Sequence, residues 1–307
     1  MTVKFIAEIG SNHNRDLKRI LELINQAKEI GCWAVKFQLF KAETLYAPEF
    51  KIQIEKMKQW ELPFSFLCEI RKECNRLDLK FICTPFDLDA VKWLHSCVDF
   101  FKIGSYEMLW FFLLKAIIET KVPWIYSTGM VTQMSEITWP IAMGEDYKNL
   151  PYAILHCNSN YPAKPEHCNL SQIQVIKKII LDKETERIIS SDYTPVYPMK
   201  TQVGWSDHTR CPELVLAAIG QGAEIVEFHF DLEDGKGFES EVGHCWKPAE
   251  ARQLINRAKF HKQIGNKYPS KIEWIFSKTM EQTASKWRTD PEDGLRPLKK
   301  YREELLK

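Results

Sequence analysis

Eight times along this chain a short β-rich run is followed by an amphipathic helical pattern, and no other feature constrains the fold as much. The runs are "KFIAEIG", "WAVKFQLF", "KFICTPF", "DFFKIGS", "PWIYSTG", "YAILHCNSN", "VGWSDHT" and "AEIVEFHF". The first helical pattern, "DLKRILELINQAKEIG", sets Leu17, Ile20, Leu21, Leu23, Ile24 and Ala27 along one face, with Gly31 placed to cap its end. In "PELVLAAIGQG", Pro212 comes early and Gly222 comes late, as helices prefer. "KPAEARQLINRAKFHKQIG" supplies the eighth helix. Eight strand–helix units predict an α/β fold, a closed parallel (β/α)8 TIM barrel over residues 1–265. An open doubly wound sheet is the competitor, mildly weakened because no G-x-G-x-x-G follows the first strand.

Two stretches break the rhythm. Residues 41–62 follow the second strand on the catalytic side of a barrel and read as a lid or interface loop. Residues 181–202 precede the seventh strand on the opposite side and read as structural. Residues 266–307 read as a polar, helix-prone extension. At 307 residues and 45% hydrophobic content the chain can bury one large core, and a net charge of +1 gives no basis for nucleic acid or an anionic membrane as main partner. The N-terminus enters a strand without signal-peptide features, and no apolar run approaches a membrane span. Nine cysteines without a C-x-x-C pair read as reduced thiols, and the expected location is cytoplasmic.

Barrel active sites lie at the C-terminal ends of the strands. Read in order, those ends carry Glu8 and Asn12, Lys36 and Gln38, Thr84, Lys102 with Ser105 and Glu107, Ser127 and Thr128, Ser159 and Tyr161, Ser206 and His208, then His229. A barrel interior prefers Val, Ile and Leu, so buried charge there must be paired or functional. Lys36 and Lys102 have a bland reading, an ion pair with Glu8 or a snorkelling side chain. Two lysines among several hydroxyls suit a ligand bearing phosphate and carboxylate better. Neighbouring strands lie about 4.8 Å apart, so His208 and His229 can share one metal ion. Neutral imidazoles suit Mn, Fe, Co or Zn. His13, His156 and His244 are further candidates on spacing alone, with His156 more structural by its mid-strand position. Glu227, two residues before His229, lies on the same side and can orient a ligand.

"IAEIGSNHNRD", "AVKFQLFKAETL", "FICTPFD", "FKIGSYE", "STGM", "LHCNSNYP", "GWSDHT" and "EFHF" together resemble the sialic acid synthase family, the phosphoenolpyruvate-dependent nonulosonate synthases, from about residue 5 to 262. The resemblance implies a (β/α)8 barrel that condenses phosphoenolpyruvate with an N-acylated hexosamine such as N-acetylmannosamine and releases phosphate. It implies a divalent ion, Mn2+ or Mg2+, on His208 and His229, and a homodimer. It places phosphoenolpyruvate contacts on Lys36, Thr84, Lys102, Ser105, Ser159 and Ser206, and sugar contacts on Glu107 and Tyr161, with Phe86 and Gln38 nearby. Glu8 is implied in proton transfer or positioning.

The sequence departs from the family pattern at the sugar end. Tyr106 stands where a small Gly is common and Phe228 where a basic residue is common. "GKGFESEVGHCW" replaces the usual "PGPD", with Glu239 or Glu241 as the stand-in for its aspartate. The C-terminal antifreeze-like domain that usually lends an arginine is expected to be missing. "WRTDPEDGLRP" is the expected substitute, with Trp287 as anchor and Arg288 and Arg296 reaching the sugar, or else a surface latch. Rival functions are a related phosphoenolpyruvate aldol synthase with another sugar aldehyde, a metal-dependent barrel hydrolase or isomerase, and a non-catalytic sugar-binding paralogue.

Overall fold

The computed structural model describes residues 3–45, 48–189 and 201–265. Eight parallel strands close on themselves in chain order: β1 (Lys4–Gly10), β2 (Ala34–Leu39), β3 (Lys80–Pro85), β4 (Phe100–Ile103), β5 (Trp124–Ser127), β6 (Ala153–Cys157), β7 (Gln202–Asp207) and β8 (Ile225–His229). Closure puts β1 beside β8, with Glu8 level with both Lys36 and His229. The doubly wound alternative is excluded by that pairing. Outside the barrel run α1 (Leu17–Ile30), α2 (Ala42–Leu45), α3 (Lys51–Lys58), α4 (Leu67–Arg76), α5 (Leu88–Leu94), α6 (Phe111–Glu119), α7 (Met134–Asp146), α8 (Gln172–Ile189), α9 (Pro212–Gly220) and α10 (Pro248–Gly265). The barrel and its helices make one compact unit, Met1–Gln263, and the second unit, Ile264–Lys307, falls almost wholly outside the described residues. Among the described residues no helix is long and apolar enough to cross a membrane.

Strand alternation sorts the side chains into two shells. Outward residues such as Phe5, Val35, Phe81, Phe101, Trp124, Ile154, Trp205 and Phe228 join the core beneath the helices. Helix α1 shows how that layer is specified. The Asp16 carboxylate accepts from the Lys18 N–H at its start, and Gly31, at φ 93°, ends it. It buries Ile20, Leu23, Ile24, Ala27 and Ile30, while Leu17 and Leu21 at the flanks stay half-buried.

Inward residues form a second, separate cluster: Ile6, Ala34, Ile82, Phe100, Ile125, Ala153, Leu155 and Ile225. This apolar plug fills the lower barrel. Two residues further along six of the strands the same inward face turns polar, from Ile6 to Glu8, Ala34 to Lys36, Ile82 to Thr84, Phe100 to Lys102, Ile125 to Ser127 and Ile225 to Glu227. The plug is therefore the floor of the site.

Strand β7 contributes Gly204 at the plug level because there is no room for more. A Cβ there would stand 2.4 Å from Leu155 Cδ2 and 2.5 Å from the Ile225 carbonyl oxygen. Gly204→Ala is expected to destabilise the barrel by about 1–3 kcal/mol, the usual cost of overpacking. Urea denaturation would measure it, and an unchanged midpoint would contradict this packing.

The two breaks in the rhythm resolve differently. The stretch 41–62 carries α2 and α3, and its end lies against the β1 and β8 loops: Ser11 Oγ donates to the Trp60 carbonyl (3.2 Å), and the Trp60 ring stacks on Phe238 at 5.8 Å. The start of the second break is corrected. Residues 181–189 continue α8, since the apolar series Ile173, Ile176, Ile180 runs on into strong helix formers. Residues 190–200 lie outside the described residues.

Candidate active site

The polar ring converges on a cavity of about 90 Å3 above the plug. Its lining includes Lys36, Gln38, Thr84, Phe86, Lys102, Ser105, Glu107, Ser127, Ser159, Tyr161, Ser206, His208, Glu227 and His229. A larger cleft of about 660 Å3 shares Tyr106, Cys157 and Ser159 with it and extends over the loops after β5 and β6.

At the centre is a buried charge network. Lys36 Nζ lies 2.6 Å from Glu8 Oε2 and 3.7 Å from Glu227 Oε1, and reaches Thr84 Oγ1 at 3.5 Å. Gln38 Nε2 donates to the other Glu8 oxygen (2.8 Å), and Ser206 Oγ donates to Glu227 Oε1 (3.0 Å). The bland reading of Lys36 is thus realised: it pairs with Glu8. Lys102 is different. Its Nζ bonds Ser127 Oγ (2.6 Å) and the Ile103 carbonyl (3.0 Å), and among the described residues no carboxylate lies within ion-pair distance of it.

Burial would lower the pKa of Lys36, but Glu227 and Glu8 outweigh it and the net shift is upward. Burial lowers Lys102, and Glu227 only partly opposes this. Glu8 is raised by burial despite Lys36, whereas Glu227, also opposed by burial, is pulled down to about 2 by Lys36 and Lys102. Glu8 is the nearer partner of Lys36, yet Glu227 faces two cations and is the carboxylate held ionised. Burial also raises Glu107, whose Oε2 has no hydrogen-bond partner among the described residues. A carboxyl in that state suits a hydrogen bond to a neutral ligand group.

The two strand-end histidines are each fixed through Nδ1. His208, directly after β7, bonds the Asn158 carbonyl (2.6 Å), and His229 bonds Glu239 Oε2 (2.6 Å). Their rings stand 5.4 Å apart and both contact the Tyr161 ring. A carbonyl or carboxylate on Nδ1 fixes the tautomer that leaves Nε2 free to bind a metal. Burial, then His229, lowers His208 to about 3, so its imidazole is neutral as a ligand must be. The donor set fits a divalent ion.

Glu239, not Glu241, is the acidic residue brought to the site. Glu241 is exposed, while Glu239 is buried. The reason lies at the end of β1. Gly10, at φ +51°, lets Glu239 come so close that a Cβ there would stand 2.1 Å from its Oε1. Ser11 N–H donates to that oxygen (2.6 Å), Glu239 N–H donates to Asn12 Oδ1 (2.9 Å), and Asn12 Nδ2 donates to the Phe230 carbonyl (3.0 Å). "SNHN" is thus a clamp on the loop after β8. His13 lies in the same turn, where its Nδ1 accepts from the Arg15 N–H (2.9 Å). His156 lies behind the barrel, bonded to the Cys168 carbonyl (2.8 Å) and packed on Trp205.

Asp207 was not marked as a site residue by the sequence. It is fully buried and accepts from Trp205 Nε1, Thr209 Oγ1, Trp246 Nε1 and the Arg210 N–H, which fastens the turn that carries His208. An Asp just before a strand-end His was its only signal. Arg288 and Arg296 lie outside the described residues.

The NeuB family model matches residues 23–182 and 193–273. The chain is 31% identical over 294 residues to the N,N'-diacetyllegionaminic acid synthase of Legionella pneumophila, covering 89% of this chain and 77% of that one. It is 30% identical over 245 residues to the N-acetylneuraminate-9-phosphate synthase of Drosophila melanogaster, covering 76% of this chain and 61% of that one. The crystal structure of an N-acetylneuraminic acid synthetase from Leptospira borgpetersenii, in complex with citrate, superimposes with a TM-score of 0.77 at 26% identity, covering 92% of this chain and 90% of that one. A match across both halves of the barrel, at this level of identity and coverage, settles the membership: the chain belongs to the NeuB family.

Proposed function

We propose that this protein is a nonulosonate synthase that condenses phosphoenolpyruvate with the open-chain aldehyde of an N-acylated hexosamine and releases phosphate. The observation that carries the reading is the cavity in which two buried lysines and a set of hydroxyls face a pair of Nδ1-fixed histidines. Relatives named for legionaminic and neuraminic acid products support the class of product.

Lys102, with Ser105, Ser127, Ser159 and Thr84 near it, holds the phosphate and carboxylate of phosphoenolpyruvate. Lys36 faces the same anion and is shared with Glu8. The arriving negative charge favours protonation of Glu8, the carboxyl that burial already shifts that way. Glu107, Tyr161, Gln38 and Phe86 bound the sugar side, where the Glu107 carboxyl donates to or accepts from sugar hydroxyls. C3 of phosphoenolpyruvate attacks the aldehyde carbon. The aldehyde oxygen takes the proton that the Glu8 carboxyl carries, and water adds at the cationic C2, losing a proton that the Glu8 carboxylate, held by Gln38, receives in turn. Phosphate then leaves C2 as the ketone forms. Manganese or magnesium on Nε2 of His208 and His229 would supply Lewis-acid polarisation of the aldehyde. Holding both reactants at one mouth supplies much of the remaining acceleration.

The test is phosphate release from phosphoenolpyruvate with a panel of N-acyl hexosamines and their 6-phosphates in the presence of Mn2+. Sugar-dependent release with a matching nonulosonate in the product is expected. Binding of sugars without phosphate release would make the chain a non-catalytic paralogue.

A further inference from the structure

His244 is buried, 3% exposed, and among the described residues neither of its ring nitrogens has a hydrogen-bond partner. Leaving buried polar groups unpaired costs about 1–3 kcal/mol each, so such a side chain calls for an explanation. Its surroundings supply one. His244 Nε2 lies 3.9 Å from Glu239 Oε2, the oxygen that sits 2.6 Å from His229 Nδ1. The His244 and His229 rings are 4.5 Å apart. Donor atoms of His229, Glu239, His244 and Cys245 all lie within 4.8 Å of one another, and all four residues are buried.

Ligands bonded at about 2.0–2.2 Å in a tetrahedral set stand roughly 3.4 Å apart. The spacings of 2.6 and 3.9 Å bracket that value. Cys245 Sγ already accepts from Asn12 Nδ2 (3.4 Å), and burial pushes its thiol up to about 12. The other three donors are therefore the committed set.

We propose a second cation position on the Nδ1 side of His229, formed by His229, Glu239 and His244, that binds a first-row transition ion in preference to Mg2+. Two imidazoles and one carboxylate favour zinc or cobalt over the oxygen-seeking magnesium. The ion takes the place of the proton that His229 and Glu239 share, and that proton goes to solvent. The position is distinct from Nε2 of His229, the nitrogen assigned above to the ion shared with His208. It does not depend on the synthase reaction, and binding can be measured without either substrate.

The experiment is Zn2+ titration by calorimetry, with metal content after dialysis, on the wild type, His244→Leu, Glu239→Gln and His208→Ala. The wild type and His208→Ala should both retain a tightly bound ion. His244→Leu and Glu239→Gln should bind it at least about tenfold more weakly, since even outer-sphere changes cost about 10–100-fold. Without metal, His244→Leu should unfold at the same temperature as wild type or higher, because an unpaired polar group is replaced by an apolar one. Loss of the metal-induced shift in unfolding temperature is then a binding effect. Zn2+ affinity unchanged in His244→Leu, or no bound ion left in His208→Ala, would overturn the second position. A failed synthase assay with these results intact would count against the reaction alone.

Discussion

Lys36→Met should destabilise the folded protein by about 3–5 kcal/mol, the cost of breaking a buried ion pair from one side. The substitution keeps the bulk and removes the cation that lies 2.6 Å from Glu8 and 3.7 Å from Glu227. Both carboxylates are buried, and the remaining cation, Lys102, has no ion pair with either among the described residues. Glu8 is fully buried and Glu227 nearly so, so solvent compensates little for the lost cation, and the folded state must protonate a carboxyl or strain. At neutral pH either route costs stability. Chemical denaturation with and without Glu8→Gln separates the causes. The double variant should recover much of the loss, because Gln keeps the hydrogen-bonding shape without the charge. A Lys36→Met protein as stable as wild type would show that Glu8 and Glu227 do not need the lysine.

Lys102→Met should behave in the opposite way. This ammonium gives two hydrogen bonds, to Ser127 Oγ and the Ile103 carbonyl, and burial depresses its pKa. Removing it loses those bonds but also relieves a buried charge, so the expected change in folding stability is within about 1 kcal/mol. Its effect belongs to the ligand. A charge-assisted contact to phosphate or carboxylate contributes about 1.5–3 kcal/mol, and phosphoenolpyruvate affinity should fall by roughly ten- to a hundredfold. Calorimetric titration with phosphoenolpyruvate checks this, with the denaturation midpoint as control. If affinity holds while stability collapses, Lys102 is a structural residue and the anion lies elsewhere. The contrast is informative because sequence pattern treats the two lysines alike. Each follows an apolar residue in a strand, and each stands two places beyond an inward apolar residue, Ala34 or Phe100.

The chain's local periodicities determined a good deal. The period-two runs marked all eight strands, and their polar ends marked Glu8, Lys36, Thr84, Lys102, Ser206 and His229. These were legible because strand geometry is a local property: a residue two places beyond Ile6 or Phe100 must face the same way. Helix α1 was legible for the same reason, down to Gly31 at its end.

The tertiary structure decided what local geometry cannot. Glu239 and Glu241 are two residues apart in an irregular loop, and no periodicity tells them apart. The choice falls to Gly10, Ser11 and Asn12, more than two hundred residues earlier, whose backbone and amide receive only Glu239. Lys36 and Lys102 acquired different roles from their neighbours, since Glu8 faces Lys36 across the β1–β2 pair and Glu227 reaches it through closure of β1 on β8. Asp207 and His244 owe their places to contacts between β7, β8 and the loop after β8. Strand direction is encoded in the chain's own stereochemistry. Which distant polar groups end up buried together is set only when the barrel closes and water is excluded from its mouth.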